Sequence, residues 1–128
     1  MSPLHAPDPS GEDLLTQWVD AFNAGHLEAL AALYARDAVL LGTSSPEVYV
    51  GPEQILGYFK GGATVRIDHI IARRPQDGTL LCTGLYAFSR RADGQETVLP
   101  ARFTFLFTRE DGEFRILHHH SSALPARR

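Results

Sequence analysis

The chain has 128 residues, of which 44% are hydrophobic and 21% are charged, and its formal net charge is −3 at pH 7. This length fits a single domain, and this composition is typical of soluble globular proteins and excludes disordered, collagen-like and coiled-coil chains. The net negative charge gives no general attraction to phosphate backbones, so nucleic-acid binding is not expected. The longest apolar run, Ala29 to Ala35, is far shorter than the roughly 20 residues that cross a bilayer, so no membrane partner is expected.

The ends of the chain and its single cysteine bear on location and domain organisation. The segment from Met1 to Asp13 has neither the basic start nor the apolar stretch of a secretory signal. Cys82 is the only cysteine, which excludes an internal disulfide and suits a reducing compartment, so we expect a cytoplasmic protein. Residues 1–11 are rich in proline and predict a flexible tail, followed by one domain over 12–125 and a second tail over 126–128.

Helical periodicity marks the N-terminal half. Apolar residues recur at helical spacing over 14–22, with Ser10 as a candidate N-cap and Gly25 as part of the stop signal. A second helix is predicted from His26, with Tyr34 on its apolar side, and a short buried strand follows at 38–41. Pro52 begins a third helix, since proline favours the first helical position, and Gly61-Gly62 ends it.

After Gly62 the apolar period changes from helical to alternating. Strands are predicted at 65–71, 80–89, 97–108 and 114–122, separated by turns that contain Asp-Gly. Three helices followed by an antiparallel meander predict an α+β fold, in which the helices cover the concave side of a strongly curved, mainly antiparallel sheet. Such a cone is a favourable place for a ligand cavity, and the apolar residues on the opposite sheet face favour a homodimer through that face.

Several short motifs, in this order and spacing, resemble the nuclear-transport-factor-2-like superfamily. They are Trp18 to Gly25, Leu33-Tyr34, Asp37 to Val39, Gly51 to Ile55, Tyr58-Phe59, Asp111 to Phe114, and Leu117 to Ser122 closed by Pro125. The chain is most similar to SnoaL-like and SgcJ/EcaC-type proteins and to the association domain of calcium/calmodulin-dependent protein kinase II. The resemblance implies a cystatin-like roll. The pocket arginines that the association domain carries on its last two strands are replaced here by Phe105 and Ser121.

The run of histidines at 118–120 is the most unusual feature of the sequence. Neighbouring strand residues face opposite sides, so His118 and His120 share one face and His119 points to the other. Two histidines on one face begin a metal site, but a catalytic zinc needs a third protein ligand, and His69, Asp68 and Asp37 show no recognisable spacing for it. We therefore expect hydrogen-bonded histidines and no cofactor, and a metalloenzyme built on His118 and His120 is the alternative.

The superfamily resemblance directs His119 and Ser121 into the cavity beside Phe105. His119 is then a candidate general acid or base, because an unperturbed histidine titrates near neutral pH. The alternative is a core histidine that a tyrosine or a backbone carbonyl satisfies. Related isomerases and cyclases use a strand carboxylate as the base, but Asp68 has the parity opposite to the apolar residues of its strand, which places it outside.

The remaining candidate pocket residues are aromatic side chains and one histidine. His69 shares the apolar parity of Val65 and Ile67, which directs it towards the helices. The predicted ligand pocket consists of Trp18, Tyr34, Tyr58, Phe59, His69, Tyr86 and Phe105. Together these features predict a homodimer that binds a small apolar or carbonyl-containing metabolite, with or without catalysis. A non-catalytic association module is the alternative.

Overall fold

The computed structural model describes residues 8–126, and within this range the chain forms three α-helices and six β-strands. Most of the predicted tails, residues 1–7 and 127–128, lie outside the described residues. The helices are α1 (Gly11–Ala24), α2 (Leu27–Ala31) and α3 (Gly51–Tyr58). The strands are β1 (Tyr34–Leu41), β2 (Val48–Val50), β3 (Ala63–Gln76), β4 (Thr79–Ala92), β5 (Gln95–Glu110) and β6 (Glu113–Ala123). In the described part of the chain no helix is long and apolar enough to span a membrane.

The strands form one sheet in the order β2-β1-β6-β5-β4-β3. Strands β3 to β6 are an antiparallel meander, while β1 runs parallel to β6 and antiparallel to β2. Two of the hairpins turn through Asp-Gly pairs with positive φ at both residues, 53° and 76° at Asp93-Gly94 and 53° and 84° at Asp111-Gly112. Such turns match the twist of the flanking strands. The predicted α+β class, with helices on a curved and mainly antiparallel sheet, is confirmed.

Helix α1 begins and ends as its sequence predicts. The Ser10 hydroxyl accepts a hydrogen bond from the Asp13 N–H at 3.0 Å, and the Asp13 carboxylate accepts one from the Ser10 N–H at 3.1 Å. This reciprocal pair satisfies amides that the first turn leaves without helical partners. Gly25 ends the helix in the left-handed conformation, with φ of 70°. The helix buries Trp18 against the inner face of the sheet.

The predicted second helix is wrong at its end. Helix α2 stops at Ala31, and Tyr34 is the first residue of β1 instead of part of a helical face. The cause is tertiary, because Ile116 donates its N–H to the Leu33 carbonyl at 2.8 Å and Tyr34 pairs with Ile116. Pairing with the last strand therefore overrides the helical spacing of the apolar residues. The short strand β2 is an addition that the sequence pattern did not predict.

Two of the register shifts in the sheet reverse the direction of the side chains that follow them. In β3 the pairing with β4 shifts between Ile67 and His69, so Asp68 is an extra residue. In β6 the pairing with β5 passes from Phe107–Ile116 to Leu106–His118, so Leu117 is an extra residue. One added residue moves all later side chains of that strand to the other face. These two bulges determine which histidines face the helices.

The predicted direction of His69 is wrong for this reason. Beyond the bulge at Asp68, His69 and Ile71 are exposed, while Ile70 and Ala72 pack against the core. The backbone of β3 comes so close to β4 here that a Cβ atom added to Gly84 would lie 1.9 Å from the His69 carbonyl oxygen. Only glycine fits at that position. Asp68 lies outside, as its parity predicts, and its carboxylate pairs with Arg66 at 2.9 Å.

Candidate functional site

A cavity of about 380 Å³ lies between the helices and the inner face of the sheet. Aromatic and aliphatic side chains from α1, the end of α3, β1, β4 and β5 form most of its wall, and the hydrogen-bonded hydroxyls of Thr43, Tyr86 and Ser121 form its polar end. It is lined by Trp18, Phe22, Leu40, Gly42, Thr43, Ser44, Tyr58, Phe59, Lys60, Gly61, Ala63, Tyr86, Phe88, Ser89, Arg90, Thr97, Leu99, His119 and Ser121. This volume lies within the range of small-molecule sites.

The predicted pocket residues divide into three groups. The cavity is lined by six of the predicted residues: Trp18, Tyr58, Phe59, Tyr86, His119 and Ser121. Tyr34 and Phe105 are buried behind this wall and contact His119, with the Phe105 and His119 ring centroids 3.8 Å apart. His69 does not reach the cavity, because the bulge in β3 turns it to the opposite face of the sheet.

His119 lies at the centre of a buried hydrogen-bond chain. The Trp18 indole N–H donates to the Tyr34 hydroxyl at 3.0 Å, and the Tyr34 oxygen lies 2.8 Å from His119 Nδ1. On the other side of the ring, His119 Nε2 lies 3.1 Å from the Tyr86 hydroxyl, which also donates to the Ser121 Oγ at 2.5 Å. Ser121 is in turn hydrogen-bonded to the hydroxyl of Thr43. The hydrogen-bond chain thus runs from Trp18 in α1 to the polar end of the cavity.

The donor-only indole nitrogen sets the direction of this chain. Because Tyr34 accepts from Trp18, its own hydroxyl hydrogen points to His119 Nδ1, which must be the unprotonated nitrogen. Nε2 then carries the hydrogen and donates to Tyr86. The opposite order would leave the Tyr34 hydroxyl hydrogen without an acceptor in a fully buried position, at a cost of about 1–3 kcal/mol. The network therefore assigns His119 as the neutral Nε2–H tautomer.

The surroundings of His119 also disfavour its charged form. Burial, with smaller effects from His118 and His120, lowers the pKa of His119 to about 3. Burial likewise raises the pKa of Tyr34 and of Tyr86 well above the usual value of a phenol. All three side chains are therefore neutral near pH 7, and the hydrogen-bond network around His119 consists of fixed dipoles without a charged group.

This arrangement limits what His119 can do chemically. A histidine with so low a pKa is a weak base, and both of its ring nitrogens already have tyrosine partners. It does not activate Ser121 either, because Nε2 bonds to Tyr86. Within residues 8–126, no Asp or Glu lines the cavity. The geometry supports recognition by hydroxyl groups in a largely apolar site and assigns His119 to holding Tyr86 in place.

The sequence analysis missed several residues of the cavity. Thr43 and Ser44 follow β1 in what reads as an ordinary loop, and Ser44 bonds through its Oγ to the Tyr58 hydroxyl at 3.1 Å. Lys60 and Arg90 lie at the mouth and read as surface charges beside turns. Phe88 and Leu99 pair across β4 and β5, and their inward direction follows from the strand parity of Tyr86. The position of Tyr86 in β4 could therefore have been used to predict that Phe88 and Leu99 line the cavity.

A second, shallower depression lies on the outer face, which we define as the sheet surface opposite the helices. It is lined by His69, Thr83, Gly84, Leu85, Arg102, Phe103, Thr104, His120 and Ser122. His118 and His120 share the parity of this face, as predicted. Among the residues that the structure describes, no group of three His, Cys, Asp or Glu side chains is placed to hold a metal ion.

Residues 12–127 match the family model of the SnoaL-like domain. A Xanthomonas campestris protein assigned as a calcium/calmodulin-dependent protein kinase II association domain is 32% identical, with a TM-score of 0.82 over 96% of this chain and 99% of that chain. No protein with a curated description matches significantly.

More distant structures share the fold. A nuclear-transport-factor-2-like protein with a cystatin-like fold from Novosphingobium aromaticivorans has a TM-score of 0.76 at 14% identity, over 89% of this chain and 79% of that chain. A ketosteroid isomerase-like protein from Erwinia carotovora atroseptica has a TM-score of 0.71 at 18% identity, over 90% and 94%. By its family match and its architecture, the chain belongs to the SnoaL-like domain family and has the nuclear-transport-factor-2-like, cystatin-like fold.

Proposed function

We propose that the protein is a homodimeric small-molecule-binding protein whose cavity takes a small, largely apolar metabolite with a carbonyl or similar acceptor group. The observation that carries this proposal is the cavity of about 380 Å³, whose wall is largely aromatic and includes the hydrogen-bonded hydroxyls of Thr43, Tyr86 and Ser121. A pocket of this kind gains most of its affinity from apolar contact, and a few polar groups set the orientation of the ligand.

The apolar wall fits a flat or ring-shaped ligand body. Trp18 stacks near Phe22 and Tyr86, with ring centroids 5.2 and 6.0 Å apart, and Phe22 lies 5.5 Å from Phe88. Each ring is held by its aromatic neighbours, so little side-chain entropy is lost when a ligand packs against it. Burial of about 25 cal/mol for each Å² of apolar surface then favours binding.

The polar end of the cavity provides a donor for the ligand's acceptor group. Ser121 accepts from Tyr86 and shares one hydrogen bond with Thr43. The serine and the threonine have two hydroxyl hydrogens between them, and that shared bond uses one. Both side chains line the cavity, so the other hydrogen can donate to a ligand there. A carbonyl oxygen placed there would receive a hydrogen bond in a poorly hydrated site, where such bonds are strong.

Binding without proton transfer is better supported than isomerase chemistry. Proton abstraction beside a carbonyl needs a base in contact with the substrate. No lining residue in the described range is a carboxylate, Asp68 pairs with Arg66 on the outside, and His119 is a weak base with both nitrogens occupied. The likeness to the ketosteroid isomerase-like protein accordingly extends to the fold and gives no support for its chemistry here.

A bulky residue at the mouth of the cavity tests ligand binding. Leu99 lines the cavity and is 39% exposed, while its neighbour Val98 is 40% exposed and points the opposite way. We expect Leu99→Trp to weaken binding of the neutral probe N-phenyl-1-naphthylamine about tenfold or more in a fluorescence titration, because the indole would occupy ligand space. Val98→Trp should bind the probe as the wild type does. Equal affinity in all three proteins would contradict the proposal.

Self-association through the outer face is the second part of the proposal. The helices pack against the inner face, and the outer face presents Leu81, Leu85 and Leu106, all half-buried, with Leu81 directly opposite Leu106 across β4 and β5. A second copy covering these residues would remove apolar surface from water. The similarity to a protein assigned as an association domain supports the same conclusion.

Charge placed on the outer face tests the dimer. Ile71 on this face is 42% exposed, and Leu124, beyond the end of β6, is 43% exposed. Ile71→Asp should shift sedimentation from dimer to monomer, because its carboxylate would be desolvated against the apolar surface of the second copy. Leu124→Asp should leave the dimer intact. A wild-type monomer at micromolar concentration, or a dimer that survives Ile71→Asp unchanged, would count against this interface.

A further inference from the structure

We propose that Lys60 and Arg90 form an anion subsite at the mouth of the cavity, so that the ligand is an amphipathic organic anion. This inference rests on the proposed ligand-binding function and adds the chemical class of the ligand. The apolar body would lie against the aromatic wall, a neutral acceptor would meet the hydroxyl end, and a carboxylate, sulfonate or phosphate group would remain at the entrance.

The charged side chains at the mouth of the cavity are both positive, and this supports an anionic ligand. Lys60 and Arg90 are the charged side chains of the described chain that line the cavity, and both are cations. The protein as a whole carries a formal net charge of −3, so a purely cationic entrance is not a consequence of its composition. A cavity wall without carboxylates and with two cations at its edge attracts anionic ligands and repels cationic ones.

Backbone carbonyls near the end of α3 and in the Gly61-Gly62 turn hold the two cations at the entrance. Arg90 donates from Nη2 to the Gly61 carbonyl at 3.3 Å, and Lys60 donates from Nζ to the Gly57 carbonyl at 3.0 Å. Gly62 has φ of 82°, and a Cβ atom added there would lie 3.0 Å from Arg90 Nη1. The turn therefore allows the guanidinium group to lie against its backbone, and most of the five N–H donors of the guanidinium stay available.

Neither cation is neutralised within residues 8–126. No Asp or Glu of that range lies within 4.0 Å of the Lys60 ammonium or the Arg90 guanidinium, whereas the next residue, Arg91, pairs with Glu96 at 3.9 Å. Both side chains are exposed, so an anion that meets them keeps part of its hydration. Desolvation is therefore a smaller cost for an anion at the mouth than for one beside the buried hydroxyls of Tyr86 and Ser121.

Two probes with the same ring system separate this inference from the proposed function. N-phenyl-1-naphthylamine is neutral, and 1-anilinonaphthalene-8-sulfonate adds one sulfonate group. We expect the double variant Lys60→Gln/Arg90→Gln to weaken binding of the sulfonate about threefold to tenfold at low salt and to leave the neutral probe within twofold of wild type. Arg91→Gln is the matched control and should change neither affinity. Added salt should weaken sulfonate binding to the wild type and to Arg91→Gln, but not to the double variant.

The outcomes are distinct. If both probes bind the wild type but the double variant holds the sulfonate as tightly as the wild type does, the anion subsite is wrong and the cavity remains a ligand site. If the neutral probe does not bind the wild type at all, the proposed ligand-binding function is wrong, and the anion subsite that rests on it is wrong as well. A sulfonate affinity that drops in the double variant but not in Leu99→Trp would place the cations' effect outside the cavity and overturn the inference.

Discussion

Replacement of Tyr34 with phenylalanine is expected to lower the free energy of unfolding by about 2–5 kcal/mol, since two buried groups lose their partner together. The Tyr34 hydroxyl accepts from the Trp18 indole N–H at 3.0 Å and lies 2.8 Å from His119 Nδ1. Both contacts are buried, so the indole hydrogen and the imidazole lone pair would be left unsatisfied in the core. Urea unfolding of wild type and variant at pH 7 measures the loss.

Tyr49→Phe is the matched control for this prediction. Tyr49 makes one hydrogen bond, between its hydroxyl and the Ser45 Oγ at 2.9 Å, and it is half-buried. Removal of that hydroxyl should cost about 0.5–1.5 kcal/mol, as for an ordinary hydrogen bond. A Tyr34→Phe variant that loses no more stability than Tyr49→Phe would show that the buried chain does not depend on the Tyr34 hydroxyl.

The stability of the protein should fall on mild acidification, in a way that depends on His119. Burial lowers the pKa of His119 to about 3 from a value of 6.5 in the unfolded chain. Between these two values the unfolded chain binds a proton that the folded protein excludes, so stability is highest above pH 6.5 and decreases as the pH falls towards 3. From pH 7 to pH 5 this one group should remove about 2 kcal/mol.

His119→Gln isolates that contribution, because glutamine keeps a donor and an acceptor but does not titrate. We expect the wild type to lose about 2 kcal/mol more than the variant between pH 7 and pH 5 in urea unfolding. The carboxylates, His118 and His120 are present in both proteins and cancel in the difference. His26→Gln, at the exposed start of α2, should behave as the wild type does. Parallel losses in His119→Gln and wild type would mean that burial does not lower the pKa of His119 in the folded protein.

The sequence predicted the local structures whose signals lie within a few residues of each other. The cap at Ser10 and the Asp-Gly turns are examples, because each depends on the conformational preferences of adjacent residues. Tyr34 shows the limit of such signals. Its spacing suits a helix, yet pairing with Ile116, 82 positions further along the chain by residue number, makes it a strand residue. No pattern around Tyr34 contains that contact.

The sheet face to which each strand side chain points was the harder feature of the site to predict. A bulge adds one residue without changing the apolar composition, so the alternation that directs His69 inwards is broken at Asp68 with no visible mark. The placement of His119 and Ser121 depended on the superfamily resemblance. Regular alternation from Phe114 and Ile116 would have turned His118 inwards, and the extra residue at Leu117 reverses this. Lys60 and Arg90 resembled ordinary surface charges because their common position at the mouth is a tertiary feature.

The central claim is that the space between the helices and the sheet receives a ligand, and a crystal structure of the complex with N-phenyl-1-naphthylamine tests it most directly. The account predicts one probe molecule per chain, with its rings against Trp18 and Phe88. A solid interior at that position, with the probe found only on the outer face or between molecules, would contradict it.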